Sequence, residues 1–355
     1  MARSAKDEQF DQQVIDERAP SVAHLFRERV SASGHSEAFR YPVGDDWVSL
    51  TWAQTADRAH ALAAGLVSVG VEPEQRVALA SSTRIEWVLS DLAVMCAGAA
   101  TTTIYPTTLG SELAFIISDS GSRVVSAEDA DQVTKLREHR AEMPEVVAVV
   151  VIDPVDSTDP DGWVISFADL EDRGRALLAE HPGVVEERID ALTPGHLATI
   201  IYTSGTTGRP KGVRLTHSAL TYEGAAVDSI NILGRDDLQY LWLPLAHVFG
   251  KVLLVLPLQI GFATVVDGRV DRIVPNLAVV RPTFMGAAPR IFEKAYGRIT
   301  TTVAEEGGVK ARLFGWATGV GAKVAALRQD GKEPSGLLAA QHRLADKLVL
   351  HKVRE

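Results

Sequence analysis

An α/β fold, built of parallel-sheet sub-domains covered by helices and followed by a helical carboxyl-terminal stretch, is predicted from three observations. From Leu50 onward, short β-rich runs alternate with helix-period segments, the pattern of a parallel sheet dressed by helices. The run Leu197–Thr203 passes straight into a loop rich in glycine, serine and threonine, which puts a ligand-type loop at the carboxyl end of a strand, where such sheets bind ligands. At 355 residues the chain exceeds the size at which one core usually keeps growing, so more than one sub-domain is expected.

Residues 1–20 read as a charged leader; Met1 to Arg18 lacks the apolar centre of a signal peptide, so no export is expected. A first α/β sub-domain is expected over residues 21–153. In it Thr51-Trp52-Ala53-Gln54 has the form of a capping box, with Leu62, Leu66 and Val69 on one face of the helix that follows. Strands are predicted at Val77–Ala80, Thr101–Ile104, Arg123–Ser126 and Val146–Ile152, with helices near Ile85–Cys96, Ser111–Ser118 and Gln132–Glu142. Pro154 to Gly162 reads as a connecting loop.

The second α/β sub-domain is expected over residues 163–288. Ser166 starts a helix there, and Leu197–Thr203, Val213–Thr216, Gln239–Leu243, Ala263–Val266 and Thr283–Met285 read as strands, with helices from His217 and Phe249. Residues 289–355 read as helical, with loops at Gly307-Gly308 and Asp330–Gly336. Lys347, His351, Lys352 and Arg354 beside Leu344, Leu348 and Leu350 make a basic amphipathic face that suits peripheral contact with an anionic membrane, or a packed helix with a solvated side.

Composition narrows the function classes. Apolar residues make up 46% and charged residues 23%, ordinary for a soluble globular chain. The formal net charge of −10 argues against nucleic-acid partners, which demand a basic surface. The single cysteine, Cys96, lies in an apolar helical run and reads as a buried inert thiol; a reducing, cytoplasmic setting fits. Val252–Val266 is too short to span a bilayer and is broken by Pro257 and Gly261.

The chemistry concentrates in Tyr202-Thr203-Ser204-Gly205-Thr206-Thr207-Gly208-Arg209-Pro210-Lys211-Gly212-Val213. Glycines let backbone N–H groups close on an anion, and successive amides in a turn make a concave anion site. Ser204, Thr206 and Thr207 add hydroxyl donors, and Lys211 adds a point charge that Arg209 and Arg214 can reinforce. A Walker A loop would continue from its second glycine into Lys-Ser/Thr, whereas here Pro210-Lys211-Gly212 follows, so this is a phosphate loop of another kind.

The segment resembles the ATP-binding signature of the AMP-forming acyl-activating enzymes. Leu243-Pro244-Leu245-Ala246-His247-Val248-Phe249-Gly250 looks like the next motif of that superfamily in its long-chain fatty-acyl-CoA synthetase form, and Arg281–Lys294 resembles the segment that follows. Thr51-Trp52, Arg76–Leu79 and Ala97-Gly98-Ala99 agree with the amino-terminal pattern, so the resemblance runs from about Ser21 to the end.

The resemblance implies the fold of the large N-terminal domain of adenylate-forming enzymes, and the activity of a long-chain fatty acid–CoA ligase. A fatty carboxylate attacks the α-phosphorus of ATP, and CoA then displaces AMP. It implies ATP and Mg2+, with CoA as co-substrate. Thr203, Ser204, Gly205, Thr206, Thr207, Gly208 and Lys211 would grip the nucleotide, with the Thr203 hydroxyl near the metal. His247 and Lys211 would be the catalytic groups, His247 orienting the reacting carboxyl; by itself, a lone histidine near an apolar run reads as a satisfied core residue. Gly250–Leu258 with Gly286, Ala287 and Ala288 could line an alkyl tunnel or simply be core.

Family motifs expected further along, a Tyr-Gly-x-Thr-Glu sequence, a ribose-binding aspartate, a hinge and a small carboxyl-terminal domain with its lysine, have no counterpart here. Residues 1–355 are therefore expected to be the front portion of a ligase that does not turn over by itself. Two other readings stand beside it: an inactive nucleotide- or lipid-binding fragment, and a fatty acyl-AMP ligase that passes its acyl group to a carrier protein.

Overall fold

The computed structural model describes residues 10–155, 161–203 and 208–354. Two short helices, α1 (Gln12–Asp16) and α2 (Val22–Ser33), precede a hairpin of β1 (Glu37–Val43) and β2 (Asp46–Thr51). There follow α3 (Trp52–Ser68), β3 (Arg76–Ala80), α4 (Ile85–Cys96), β4 (Ala100–Ile104), α5 (Gly110–Ser120), β5 (Ser122–Ala127), α6 (Ala130–Glu138) and β6 (Ala148–Val151). Next come β7 (Val164–Ser166), α7 (Phe167–Glu180), α8 (Val184–Asp190), β8 (Leu197–Thr203), β9 (Lys211–Thr216), α9 (His217–Ser229) and β10 (Leu238–Leu241). The unit closes with α10 (Val248–Ile260), β11 (Ala263–Val266) and α11 (Ile273–Val280).

These strands form two sheets. A seven-stranded sheet has the order β7-β6-β5-β3-β4-β8-β9, parallel throughout except for β9, which runs antiparallel to β8. A four-stranded sheet has the order β10-β11-β1-β2, with β1 parallel to β11 and antiparallel to β2. All five residues of β4 and four of the five in β3 are buried, as a sheet covered on both faces requires.

The expected division at residues 153 and 163 does not follow the sheets. β8 continues the sheet begun by β3, pairing Thr101 with Thr199, while the early hairpin joins β11 through Phe39 opposite Thr264. Strands join whichever buried edge matches them, and sequence order does not reveal that edge. The described residues fall into one compact unit over 10–286 and another over 287–354. The predicted strand Thr283–Met285 is reduced to a single bridge between Phe284 and Gln239. Three residues running into Gly286 are too few to propagate a ladder there.

Local signals explain the helix starts. Thr51 Oγ1 accepts from the Gln54 N–H at 3.2 Å, and Gln54 Oε1 accepts from the Thr51 N–H at 2.9 Å, so the capping box is formed. Leu62 and Leu66 are buried, while Val69 is already the C-cap residue. Ser166 and Asp169 repeat the device at α7. The α3 and α7 helices then touch backbone to backbone: a Cβ placed on Gly174 would lie 1.7 Å from the Ala61 carbonyl oxygen, so only glycine allows this crossing.

Residues 287–354 form α12 (Pro289–Glu306), α13 (Gly308–Gln329), α14 (Gly336–Ala345), a π-helical turn over Asp346–Leu350 and α15 (His351–Arg354). Their small core joins Ala317 and Val320 of α13 to Ala345 of α14.

Candidate functional site

The run expected from the sequence to grip phosphate connects β8 to β9. The first five residues of β8 are buried, Tyr202 is half-buried and Thr203 emerges at the carboxyl end of the sheet. The chain returns with Lys211 directly opposite Thr203 and Gly212 opposite Tyr202. Ser204, Gly205, Thr206 and Thr207 lie outside the described residues. Gly208 has φ of 137°, a conformation open to glycine and strained for any other residue. Lys211 is exposed, and among the described residues no carboxylate pairs with it, so its ammonium can meet an anion.

The two arginines expected to assist Lys211 are used otherwise. Arg209 lies over the Phe115 ring at 5.1 Å, which ties the descending limb of the loop to α5. Arg214, one residue out of phase with Lys211 and Val213, points to the opposite face of β9. It shares a cavity of roughly 440 Å3 with Tyr202, Asp119 and Arg76. There Tyr202 Oη donates to Asp119 Oδ2 at 2.6 Å, and burial together with that carboxylate pushes the phenol pKa up.

His247 is not a core residue: it is exposed at the N-cap of α10. Its Nδ1 accepts from the Phe249 N–H at 3.1 Å, which leaves Nε2 as the nitrogen available to a ligand. The Leu243–His247 segment hangs from the ends of β3 and β4. Thr83 Oγ1 donates to the Leu243 carbonyl at 2.8 Å, and Thr103 Oγ1 donates to the Ala246 carbonyl at 3.1 Å. Thr103 is paired with Ile201 in the neighbouring strand, two residues before Thr203. Thus His247 lies at the same edge of the seven-stranded sheet as Thr203 and Lys211. Gly250 is required here, because a Cβ would lie 2.3 Å from the Pro244 carbonyl oxygen.

Several of the residues suggested to line an alkyl tunnel are packed in the interior. Leu253, Leu254, Leu256 and Leu258 are buried, and Gly286 rests against Leu253, with its carbonyl accepting from Trp242 Nε1 at 3.0 Å. Among the described residues no group of three or more His, Cys, Asp or Glu could hold a metal ion. Two groups missed by sequence reasoning lie just behind this edge: Lys251 on α10 and Asp91 on α4, both buried and paired. Each is a lone charge beyond the first turn of an apolar helix, the one signal that would have found them.

A largely parallel sheet whose strand β8 runs at its carboxyl end into a glycine-rich sequence is the architecture of a nucleotide-binding α/β protein. The AMP-binding enzyme family profile matches residues 26–329, and the chain belongs to that family. It is 32% identical over 310 residues to the long-chain-fatty-acid–CoA ligase FadD15 of Mycobacterium bovis, covering 87% of this chain and 50% of the relative. It is 28% identical to the long-chain-fatty-acid–CoA ligase ACSBG2 of Rattus norvegicus, covering 94% of this chain and 50% of the relative. The chain thus spans about half the length of these curated relatives.

Among solved structures, the anthranilate CoA ligase AuaEII in complex with anthranoyl-AMP superposes with a TM-score of 0.67 at 21% identity, over 78% of this chain and 51% of that one. A long-chain-fatty-acid–CoA ligase, FadD1, from Archaeoglobus fulgidus gives a TM-score of 0.65 at 21% identity, over 81% and 54%. The fold is therefore that of the N-terminal domain of adenylate-forming ligases.

Proposed function

We propose that the protein activates a long-chain fatty acid for transfer to CoA, as an AMP-forming acid–thiol ligase. The observation that carries this reading is the sharing of one sheet edge by Thr203, Lys211 and His247, through the Thr203–Lys211 pair and the Thr103 hydrogen bond to Ala246. A carboxylate oxygen forms a bond to the α-phosphorus of ATP as the bond to pyrophosphate breaks. The CoA thiol, losing its proton, then attacks the acyl carbon, and AMP departs with the bonding electrons. Neither step needs an enzyme nucleophile, so alignment and charge neutralisation carry the rate.

In this reading Lys211 and the amides and hydroxyls of residues 203–208 hold the departing phosphates. The His247 Nε2 orients the fatty carboxylate, which is already ionised and needs no general base. Mg2+ would neutralise phosphate charge when bound; with one hydroxyl, Thr203, and no carboxylate cluster among the described residues, the ion fits as a passenger on the nucleotide.

No described helix is long and apolar enough to cross a membrane. A cytoplasmic location accords with the single buried Cys96, and peripheral contact with an anionic membrane through exposed Lys347 and Lys352 beside Leu348 and Val353 belongs to the same reading.

The test is pyrophosphate, AMP and palmitoyl-CoA formation from MgATP, palmitate and CoA, with hydroxylamine trapping of the adenylate. Hydroxamate and palmitoyl-CoA together support the proposal. Hydroxamate without palmitoyl-CoA would assign a carrier protein as acceptor. Nucleotide binding without pyrophosphate release, measured with residues 1–355 joined to the remaining half of a relative, would overturn the ligase reading, since the chain spans only about half of those relatives.

A further inference from the structure

Lys251 lies four residues beyond His247 on α10, in a helix otherwise free of charge. Its side chain is 1% exposed and its ammonium pairs with the Asp91 carboxylate of α4, itself 4% exposed. Asp91 also accepts from Thr101 Oγ1 of β4 at 2.7 Å, and the Lys251 ammonium lies 5.4 Å from the centre of the Trp87 ring. The pair therefore ties the helix that carries His247 to both a helix and a strand of the seven-stranded sheet that carries the phosphate loop.

Stability alone does not explain this arrangement. Two charges withdrawn from water lose most of what their attraction returns, and well-packed apolar residues of similar size usually do as well or better. Burial accordingly pulls the Lys251 pKa down, with the nearby carboxylate pushing it back. What an ion pair adds over apolar packing is direction, since it is satisfied in one rotation and one axial position of the helix.

We propose that the Lys251–Asp91 pair is a positioning clasp that fixes the first turn of α10, and so sets where the His247 ring stands relative to the Thr203–Lys211 pair. The backbone path from clasp to ring is direct: the Lys251 N–H donates to the His247 carbonyl at 3.1 Å, and the His247 ring caps the Phe249 N–H. Thr83 and Thr103 hold the segment entering α10, whereas Lys251 holds the helix leaving it, so the ring is braced from both sides. The link to catalysis rests on the adenylation reading above; the clasp itself does not.

The experiment compares the full protein with the double variant Lys251→Met/Asp91→Asn. That variant removes both charges, keeps an acceptor for Thr101 and leaves side-chain volumes close to native. Asp91→Asn alone is a second variant that folds readily if Lys251 sheds its proton. Melting curves report the fold, amide exchange at Phe249 reports the His247 cap, and pyrophosphate release gives kcat and KM for ATP.

Expected are a cooperative melt, Phe249 exchange faster by about tenfold or more, and kcat lower by about tenfold to a hundredfold with KM for ATP unchanged, as for a displaced orienting group. Native Phe249 exchange in a folded double variant would overturn the clasp. Faster exchange with native kcat would overturn its catalytic role. If the wild-type protein forms no adenylate, the ligase reading fails, and Phe249 exchange still decides whether the clasp exists.

Discussion

Thr203 and Lys211 face each other across the β8–β9 ladder as its last pair before the loop. Residues directly opposite in an antiparallel pair share a face with their Cβ atoms about 5 Å apart. A hydroxyl and an ammonium are thereby presented side by side where β8 ends and β9 begins, and the ladder sets their spacing.

Replacing Lys211 with Ala removes the one cation of that pair while sparing the ladder, whose bonds are made by the backbone. A charge-assisted contact of this kind contributes about 1.5–3 kcal/mol, hence roughly tenfold to a hundredfold in nucleotide use. The expected outcome is impaired adenylation at limiting ATP with a melting curve close to wild type, read by pyrophosphate release. Native kinetics at every ATP concentration would exclude Lys211 from the site.

His247→Ala separates two roles. Loss of the Phe249 cap should cost about 1 kcal/mol of stability, as other N-caps do. Loss of the orienting nitrogen should reduce adenylate formation well beyond that, since the exposed ring makes no core contribution. Hydroxamate trapping at saturating palmitate measures the second effect, and urea unfolding measures the first.

A pH dependence follows from His217, which is fully buried, accepts from the Val22 N–H through Nδ1 at 3.3 Å and has no partner for Nε2 among the described residues. Burial, with Lys251 nearby, lowers its pKa to about 3 from the ordinary 6.5. The unfolded chain then binds a proton below pH 6.5 that the folded chain refuses, so stability is complete above that pH and falls as pH drops toward 3. The slope attributable to this residue is about 1.4 kcal/mol per pH unit at most. His217→Asn, which keeps an acceptor for Val22, should flatten the loss between pH 6.5 and 5 in urea titrations; an unchanged difference would show that other groups carry it.

Gly174→Ala is a test of the α3–α7 crossing. One methyl placed 1.7 Å from the Ala61 carbonyl oxygen forces the helices apart, and overpacking of this kind typically costs about 1–3 kcal/mol or more. A clear drop in melting temperature is expected, without a selective change in KM for ATP. A variant as stable as wild type would mean that the crossing is looser than described.

Much of the candidate site could be proposed from the sequence because its residues are local. Glycines, hydroxyls and Lys211 lie in one short stretch, and the strand leading into it reads from its apolar run at Leu197–Ile201. The N-cap position of His247 was only half legible: the helix start was expected at Phe249, and the ring that caps it was read as an orienting group or a core residue. What the sequence hid is long-range pairing. Nothing in Glu37–Val43 announces β11 as its partner, and the Ala61–Gly174 approach shows only when two distant helices cross. The lone charges Lys251 and Asp91 were visible in their apolar helices, but a pair needs both members, and they lie 160 residues apart.

The four-stranded sheet has a consequence for biosynthesis. Its amino-terminal hairpin leaves the ribosome long before β10 and β11, and Arg29 waits for the Leu258 carbonyl across a separation of 229 residues. At synthesis rates of about 5–20 residues per second, that wait lasts roughly 11 to 46 seconds. During it the β1 edge, with Phe39 bound for full burial, is exposed on the nascent chain while the seven-stranded sheet is still being made. The hairpin is thus the segment most in need of a chaperone's cover, and slowed translation between residues 51 and 238 should raise aggregation more than the same delay placed after Val266.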